Sequence, residues 1–194
     1  MATSGEQAAI SGYHTQFKIA AWEIYAAITH GNLEWLELAS VEAGNLDDVF
    51  IGLTDKILAW QIKDRSNRFT YNEFANIESG LIVKMFASWA ALAQKHAGKP
   101  IDCRLITTQE MSSHDVIQSF GAADKPSFAS FVKNCWNKIR AGESYGKNWE
   151  PVLDELCVLL HCQQPQLLDF IRSTHLSFDY TLPDQKDYNP LAWL

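Results

Sequence analysis

The chain has 194 residues, 47% of them hydrophobic and 20% charged, with ten Phe and seven Trp, enough for one domain with a full core. The formal net charge of −7 argues against a protein that coats nucleic acid broadly, although a local basic patch or bound metal ions can still hold phosphates. No run approaches the roughly 18–20 apolar residues that span a bilayer, and the N-terminus lacks the basic start and apolar core of a signal peptide.

Residues 1–9 read as a flexible start. From Tyr13, the apolar residues Phe17, Ala20, Ala21, Ile24, Ala27 and Ile28 follow helical spacing, with Gly31 as the stop. "EWLELASVE" (34–42) suits a strand. "DDVFIGL" and "KILAWQIK" read as two more strands around a tight turn at Thr54-Asp55. After a polar loop or short helix, "SGLIVKMFASWAALAQKHAGKP" predicts a long helix ended by Gly98 and Pro100, and "IDCRLITTQ" (101–109) a fourth strand. A short helix is expected over Ser113–Phe120.

Beyond Gly121 three segments carry helical periodicity, Pro151 suits a first helical turn, and a strand signal returns only at Leu176–Leu182. The expected architecture is α/β: an αβββαβ core with a mixed sheet over 10–122, and a helical extension of the same domain over 123–194. The apolar finish "DYNPLAWL" suggests a piece of a longer protein.

Four scattered cysteines do not make a disulfide scaffold, and the chain reads as cytoplasmic. Cys157, His161 and Cys162 lie in an apolar helical stretch and make a poor zinc site. There is no glycine-rich phosphate loop and no local pattern for Ser-His-Asp chemistry. Trp22, Trp35, Trp60 and Trp89 sit in apolar patterns, which favours packing over base stacking.

The chemistry concentrates at "AGNLDDVFIGLTDKILAWQIKDR" (43–65). Alternation along the third strand puts Gln61 and Lys63 on one face and turns Trp60 and Ile62 to the other. With Thr54 and Asp55 as a two-residue turn, Asp48 falls opposite Gln61; an odd-length loop would bring Asp47 opposite Lys63 instead. Directly opposed Cβ atoms lie about 5 Å apart, close enough to share one ion. Asp48 offers a carboxylate, Gln61 an amide oxygen and Ile62 a backbone carbonyl, the oxygen donors that Mg²⁺ prefers. Lys63 would orient the attacking water and steady developing phosphate charge. The bland alternative is a solvated strand entry at Asp47-Asp48 and an edge strand kept soluble by Lys63.

This order of residues resembles the PD-(D/E)XK nuclease superfamily, with Gln61 where the motif usually has Glu. It is nearest to the N-terminal effector nucleases of bacterial anti-phage proteins in CBASS and STAND-NTPase systems. The likeness runs through "SGYHTQ" (Gly12, Tyr13, Gln16), "VEAGNLDDV", "WQIK" and "LITTQ", over roughly residues 10–110. It implies a Mg²⁺-dependent endonuclease, with Mn²⁺ able to substitute, that cuts double-stranded DNA with little sequence preference. It further implies a sensor or ATPase module in the same longer chain that activates cutting by homo-oligomerisation. Glu42 becomes a candidate further metal ligand, and Gln16 and Asp47 candidate supports. Arg65, Arg68 and Lys84 are the nearest basic candidates for DNA phosphates. A catalytically inactive scaffold with the same fold is the rival, and Gln61 is its main support.

Overall fold

The computed structural model describes residues 14, 17–22, 24–25, 27–64, 67–113, 115–117 and 126–181. Among these, 17–22, 24–25 and 27–29 are helical and form α1. Then come β1 (Leu33–Glu37), β2 (Val49–Leu53), β3 (Ile57–Lys63), α2 (Tyr71–Ala75), α3 (Leu81–Lys95) and β4 (Ile101–Thr107). A continuous helical stretch follows as α4 (Phe128–Phe131), a π-helical segment (Val132–Trp136) and α5 (Asn137–Arg140). The last elements are a 3₁₀ turn (Lys147–Trp149), α6 (Glu150–Leu159), α7 (Gln164–Ser173) and β5 (Thr174–Ser177).

One five-stranded sheet runs in the order β1-β2-β3-β4-β5. The β1–β2 and β2–β3 pairs are antiparallel, while β3–β4 and β4–β5 are parallel. The mixed sheet matches the α/β class expected and excludes an all-helical domain. No helix among the described residues is long and apolar enough to cross a membrane.

Side-chain alternation divides the sheet into two buried faces. Val49, Ile51, Leu58, Trp60, Ile62 and Ile106 meet Ile19, Ala20 and Ala27 of α1. Phe50, Ile57, Ala59, Cys103 and Leu105 face the other way, against α3 and the C-terminal helices. This three-layer arrangement fixes where Asp48, Gln61 and Lys63 emerge.

Local chemistry explains most boundaries. The hairpin closes at Thr54-Asp55 with Leu53 N–H donating to the Lys56 carbonyl at 2.8 Å. Thr70 and Glu73 form a reciprocal capping box at the start of α2. Gly98, at φ +100°, turns the chain from α3 into β4. α6 ends in a Schellman motif: Cys162 N–H reaches the Cys157 carbonyl (3.0 Å) and His161 N–H the Val158 carbonyl (3.3 Å), with His161 at φ +51°. Cys157 and Cys162 therefore stand where this cap brings two side chains together, which accounts for the Cys-His-Cys spacing without a metal.

Two expectations change. β1 ends at Glu37, because Ala39 turns to φ +52° and Ser40 caps back onto the Glu37 carboxylate at 2.5 Å. The described part of Ser113–Phe120 is not helical. Val116 bridges Ser127, Ile117 N–H reaches the Pro126 carbonyl, and the Asp115 carboxylate accepts the Tyr71 N–H, so the backbone is spent on extended pairing.

The C-terminal third is built into the core rather than appended to it. Phe128, Phe131, Trp136, Leu153, Leu156 and Phe170 bury against the sheet and α3. The Trp136 indole donates to the Thr174 carbonyl (3.1 Å), tying the helices to β5, which starts two residues before the expected strand.

At Gly52 the indole of Trp35 lies so close over the backbone that a Cβ would fall inside its ring atoms. Gly52→Ala should cost about 1–3 kcal/mol by overpacking, and Trp35→Leu in the same chain should return part of that. Urea unfolding of the two single variants and the double variant measures both effects.

Candidate functional site

The hairpin register pairs Val49 with Trp60, Phe50 with Ala59, Ile51 with Leu58 and Gly52 with Ile57. One step further along each strand, Asp48 meets Gln61, as the two-residue turn requires. The Gln61 side-chain amide donates to Asp48 Oδ2, and Ile62 N–H donates to the same oxygen at 2.6 Å. Gln61 is 5% exposed, so this pair sits at the buried end of the site, with Lys63 half-buried above it.

The loop before Asp48 is anchored from below. Ala43 and Leu46 are fully buried, and the Asn45 N–H donates to Ser88 Oγ of α3 at 2.9 Å. Gly44 takes φ +62° against the same serine. Ser40 N–H donates to the Asp47 carbonyl (3.2 Å), which closes the loop on the end of β1. Asp48 is thus held by core packing on one side and by β3 on the other.

β3 and β4 run parallel with Lys63 beside Thr107, and Thr108 N–H donates to the Lys63 carbonyl at 3.2 Å. Immediately beyond, Gln109 is buried, receives Thr107 Oγ1 at 3.1 Å and gives its own amide to the Asn67 carbonyl at 2.7 Å. These contacts build one wall of a cavity of about 310 Å³ lined by Gln61, Lys63, Glu73, Lys84 and Gln109, with Asn45 at its rim. Two cations and the Glu73 carboxylate therefore face a pocket whose floor adjoins Asp48.

Burial raises the Asp48 carboxyl above its ordinary value; the Ile62 and Gln61 hydrogen bonds and the Lys63 charge oppose this, and the neighbouring Asp47 charge adds to it. A carboxylate buried against neutral amide donors is one that a cation would relieve. The donor set fits a hard divalent ion if the Gln61 amide turns over to offer its oxygen, a rotation of one side-chain torsion. The Ile62 carbonyl lies on the strand beside it.

Of the other expected residues, Lys84 lines the pocket. Glu42 does not join Asp48: its carboxylate meets Lys95 and His96, each at 2.6 Å, and these hydrogen bonds hold its carboxyl below the ordinary value. Lys95 and His96 at the C-terminal end of α3 thus hold the Glu42 carboxylate away from Asp48. Arg68 turns to Glu110 (3.4 Å) and Ser113 (3.5 Å) and is exposed on the rim outside the pocket lining. Asp47 stands beside Asp48 but outside the pocket lining. Gln16 and Arg65 lie outside the described residues.

Glu73 and Gln109 were missed from the sequence. The capping-box spacing "TYNE" marks Glu73, and Gln109 follows directly on the strand end that pairs with Lys63. Among the described residues, no three His, Cys, Asp or Glu side chains gather as a metal cluster. Comparison with protein-family models, with curated proteins and with solved structures finds no match.

Two outcomes follow from this geometry. Removing the buried Ser88 hydroxyl takes away the acceptor of the part-buried Asn45 N–H, so Ser88→Ala should lower stability by about 1 kcal/mol, read by chemical denaturation. The second concerns pH. The fold holds the Asp48 proton more tightly than the unfolded chain does, so that contribution is complete below the ordinary aspartate value of 3.8 and is lost as pH rises through the raised value. Without divalent ions, Asp48→Asn should therefore unfold at a higher temperature than the natural chain at neutral pH, and the gap should close in acid. Thermal melts across that range would show a constant gap if Asp48 were an ordinary surface carboxylate.

Proposed function

We propose that this chain is a metal-dependent DNA endonuclease domain with a restriction-endonuclease-like core. It would cut double-stranded DNA with little sequence preference, as the effector of a bacterial anti-phage protein. The observation that carries the reading is the hairpin register, which sets Asp48 against Gln61 beside the pocket that Gln61 and Lys63 line. The motif order quoted from the sequence supports the same reading.

Asp48, the Gln61 amide oxygen and the Ile62 carbonyl would hold Mg²⁺, with Mn²⁺ able to substitute. When bound, such an ion supplies an activated water and neutralises charge on the scissile phosphate. The chain's own part is positional. Lys63 sets an ammonium group beside Asp48, where it can hold a phosphate oxygen and balance charge in the transition state. Lys84, across the pocket, adds a second cation that can hold the DNA backbone in register. The buried floor limits water at Asp48 and strengthens each of these interactions. Gating by a sensor or ATPase module through oligomerisation follows from the resemblance, and it suits a domain whose net charge of −7 binds DNA weakly when alone.

One observation favours the scaffold reading. Gln61 turns its amide nitrogen to Asp48 and Glu42 is drawn to Lys95 and His96, so neither adds an oxygen donor beside the Asp48 carboxylate. Incubation of supercoiled plasmid with the domain and Mg²⁺ or Mn²⁺, free and artificially multimerised, separates the two. The nuclease reading expects nicking that falls at least about 100-fold in Asp48→Ala and in Lys63→Ala. Absence of cutting in the multimerised domain, or cutting that survives both substitutions, contradicts it.

A further inference from the structure

The outer end of α6 carries a second, chemically distinct feature. Cys157 and Cys162 occupy the two ends of its Schellman cap, joined by the Cys162 N–H to Cys157 carbonyl bond at 3.0 Å. Both side chains line one open cavity of about 680 Å³, with Val158, His161, Gln163 and Gln166 exposed around them. This cavity shares no lining residue with the pocket beside Asp48. All four cysteines of the chain are free thiols. Cys103 and Cys135 are fully buried in the core, whereas Cys157 and Cys162 are half-buried and open to the cavity.

The cap fixes how the two thiols meet. A Schellman turn sets its first and last side chains against each other and ordinarily fills that contact with two apolar groups. Here the contact is sulfur on sulfur, and the Cys162 thiol donates to Cys157 Sγ. The turn depends on His161 at φ +51°, a left-handed position where glycine is the usual residue. A covalent link across the turn would hold that conformation in place. The hydrogen bond also sets an order of reaction. Burial raises both thiols above their ordinary value, Cys162 to about 11, while the bond from Cys162 opposes the rise at Cys157. Cys157 is therefore the first to become a thiolate. A pair whose thiolates the protein does little to stabilise favours the joined form at equilibrium.

We propose that Cys157 and Cys162 form a reversible dithiol–disulfide site, oxidised by a small-molecule disulfide such as glutathione disulfide that reaches them through the open cavity. The Cys157 thiolate attacks one sulfur of the small disulfide, a mixed disulfide forms and one glutathione thiolate leaves. Cys162, deprotonated in turn, attacks the Cys157 sulfur and releases the second. Two protein thiols are oxidised, one small disulfide is reduced to two thiols, and the two protons pass to the two leaving groups. Closing so short a ring constrains the unfolded chain little, so the preference for the bond comes from the cap that already holds both sulfurs together. The site stands whether or not the chain cuts DNA.

The full folded chain is equilibrated with graded mixtures of reduced glutathione and glutathione disulfide, quenched in acid, alkylated in denaturant and cut with trypsin. Lys147 and Arg172 are the cleavage points on either side of the pair, and neither lysine nor arginine lies between them, so both cysteines fall in one peptide. The expected product is that peptide lighter by two hydrogens and free of alkyl groups, with Cys103 and Cys135 still alkylated. Excess reduced glutathione should restore both thiols. At equal glutathione ratios the bond should form at least about tenfold more favourably in the folded chain than in urea. Cys162→Ser should stop at a single glutathione on Cys157. Free thiols at both positions under excess glutathione disulfide, or glutathione left on both cysteines of the natural chain, overturn the site. Equal formation of the bond in the folded chain and in urea overturns the role of the cap. The natural chain decides each of these outcomes, however Cys162→Ser folds.

Discussion

The register of one β-hairpin governs the rest of the molecule. A two-residue turn at Thr54-Asp55 sets Val49 against Trp60, and strand geometry then leaves no freedom at the next position, where Asp48 must meet Gln61. A slip of one residue would turn Gln61 and Lys63 into the apolar layer against α1 and turn Trp60 and Ile62, both about 1% exposed, to the pocket face. Placing an ammonium and an amide in that apolar layer, away from any polar partner, is far worse than either native face, so hydrophobic packing enforces the polar pairing. The site is specified by residues that take no part in it.

The same logic explains how the acid is held. Asp48 stands just before β2, where a loop usually has latitude. Here the buried Ala43 and Leu46, the Ser88–Asn45 hydrogen bond and the Ser40–Asp47 contact remove it. α3 supplies Ser88 to the loop and Lys84 to the pocket from positions one helical turn apart. One helix thus shapes both the floor and the far wall. Burial keeps the Asp48 carboxyl raised in spite of the Ile62 and Gln61 hydrogen bonds and the Lys63 charge, which makes the position poor for a lone anion and good for an anion shared with a cation.

Much of this was legible in the sequence, for identifiable reasons. Alternation in "KILAWQIK" and the tight turn before it dictate faces and register, and both are local signals. The site residues missed were those supplied by non-local contacts. Glu73 reaches the pocket because the segment leading into α2 pairs with the residues after β4, and Gln109 because β4 runs parallel to β3, neither of which spacing alone reveals. The placement of Glu42 was hidden for the same reason: its partners, Lys95 and His96, lie more than fifty residues away. The helix expected at Ser113–Phe120 yielded to pairing with residues 126–128, and β5 begins two residues before the strand expected at Leu176–Leu182, directly at the end of α7.

The central claim is that Asp48 and Gln61 form an ion site rather than a simple hydrogen-bonded pair. A crystal structure of the domain soaked in Mn²⁺, with data collected at the manganese absorption edge, tests this directly. The account predicts an anomalous peak bounded by the Asp48 carboxylate, the Ile62 carbonyl and the Gln61 amide turned to present its oxygen. No peak at that position, with the Gln61 nitrogen still donating to Asp48 at saturating metal, would contradict it.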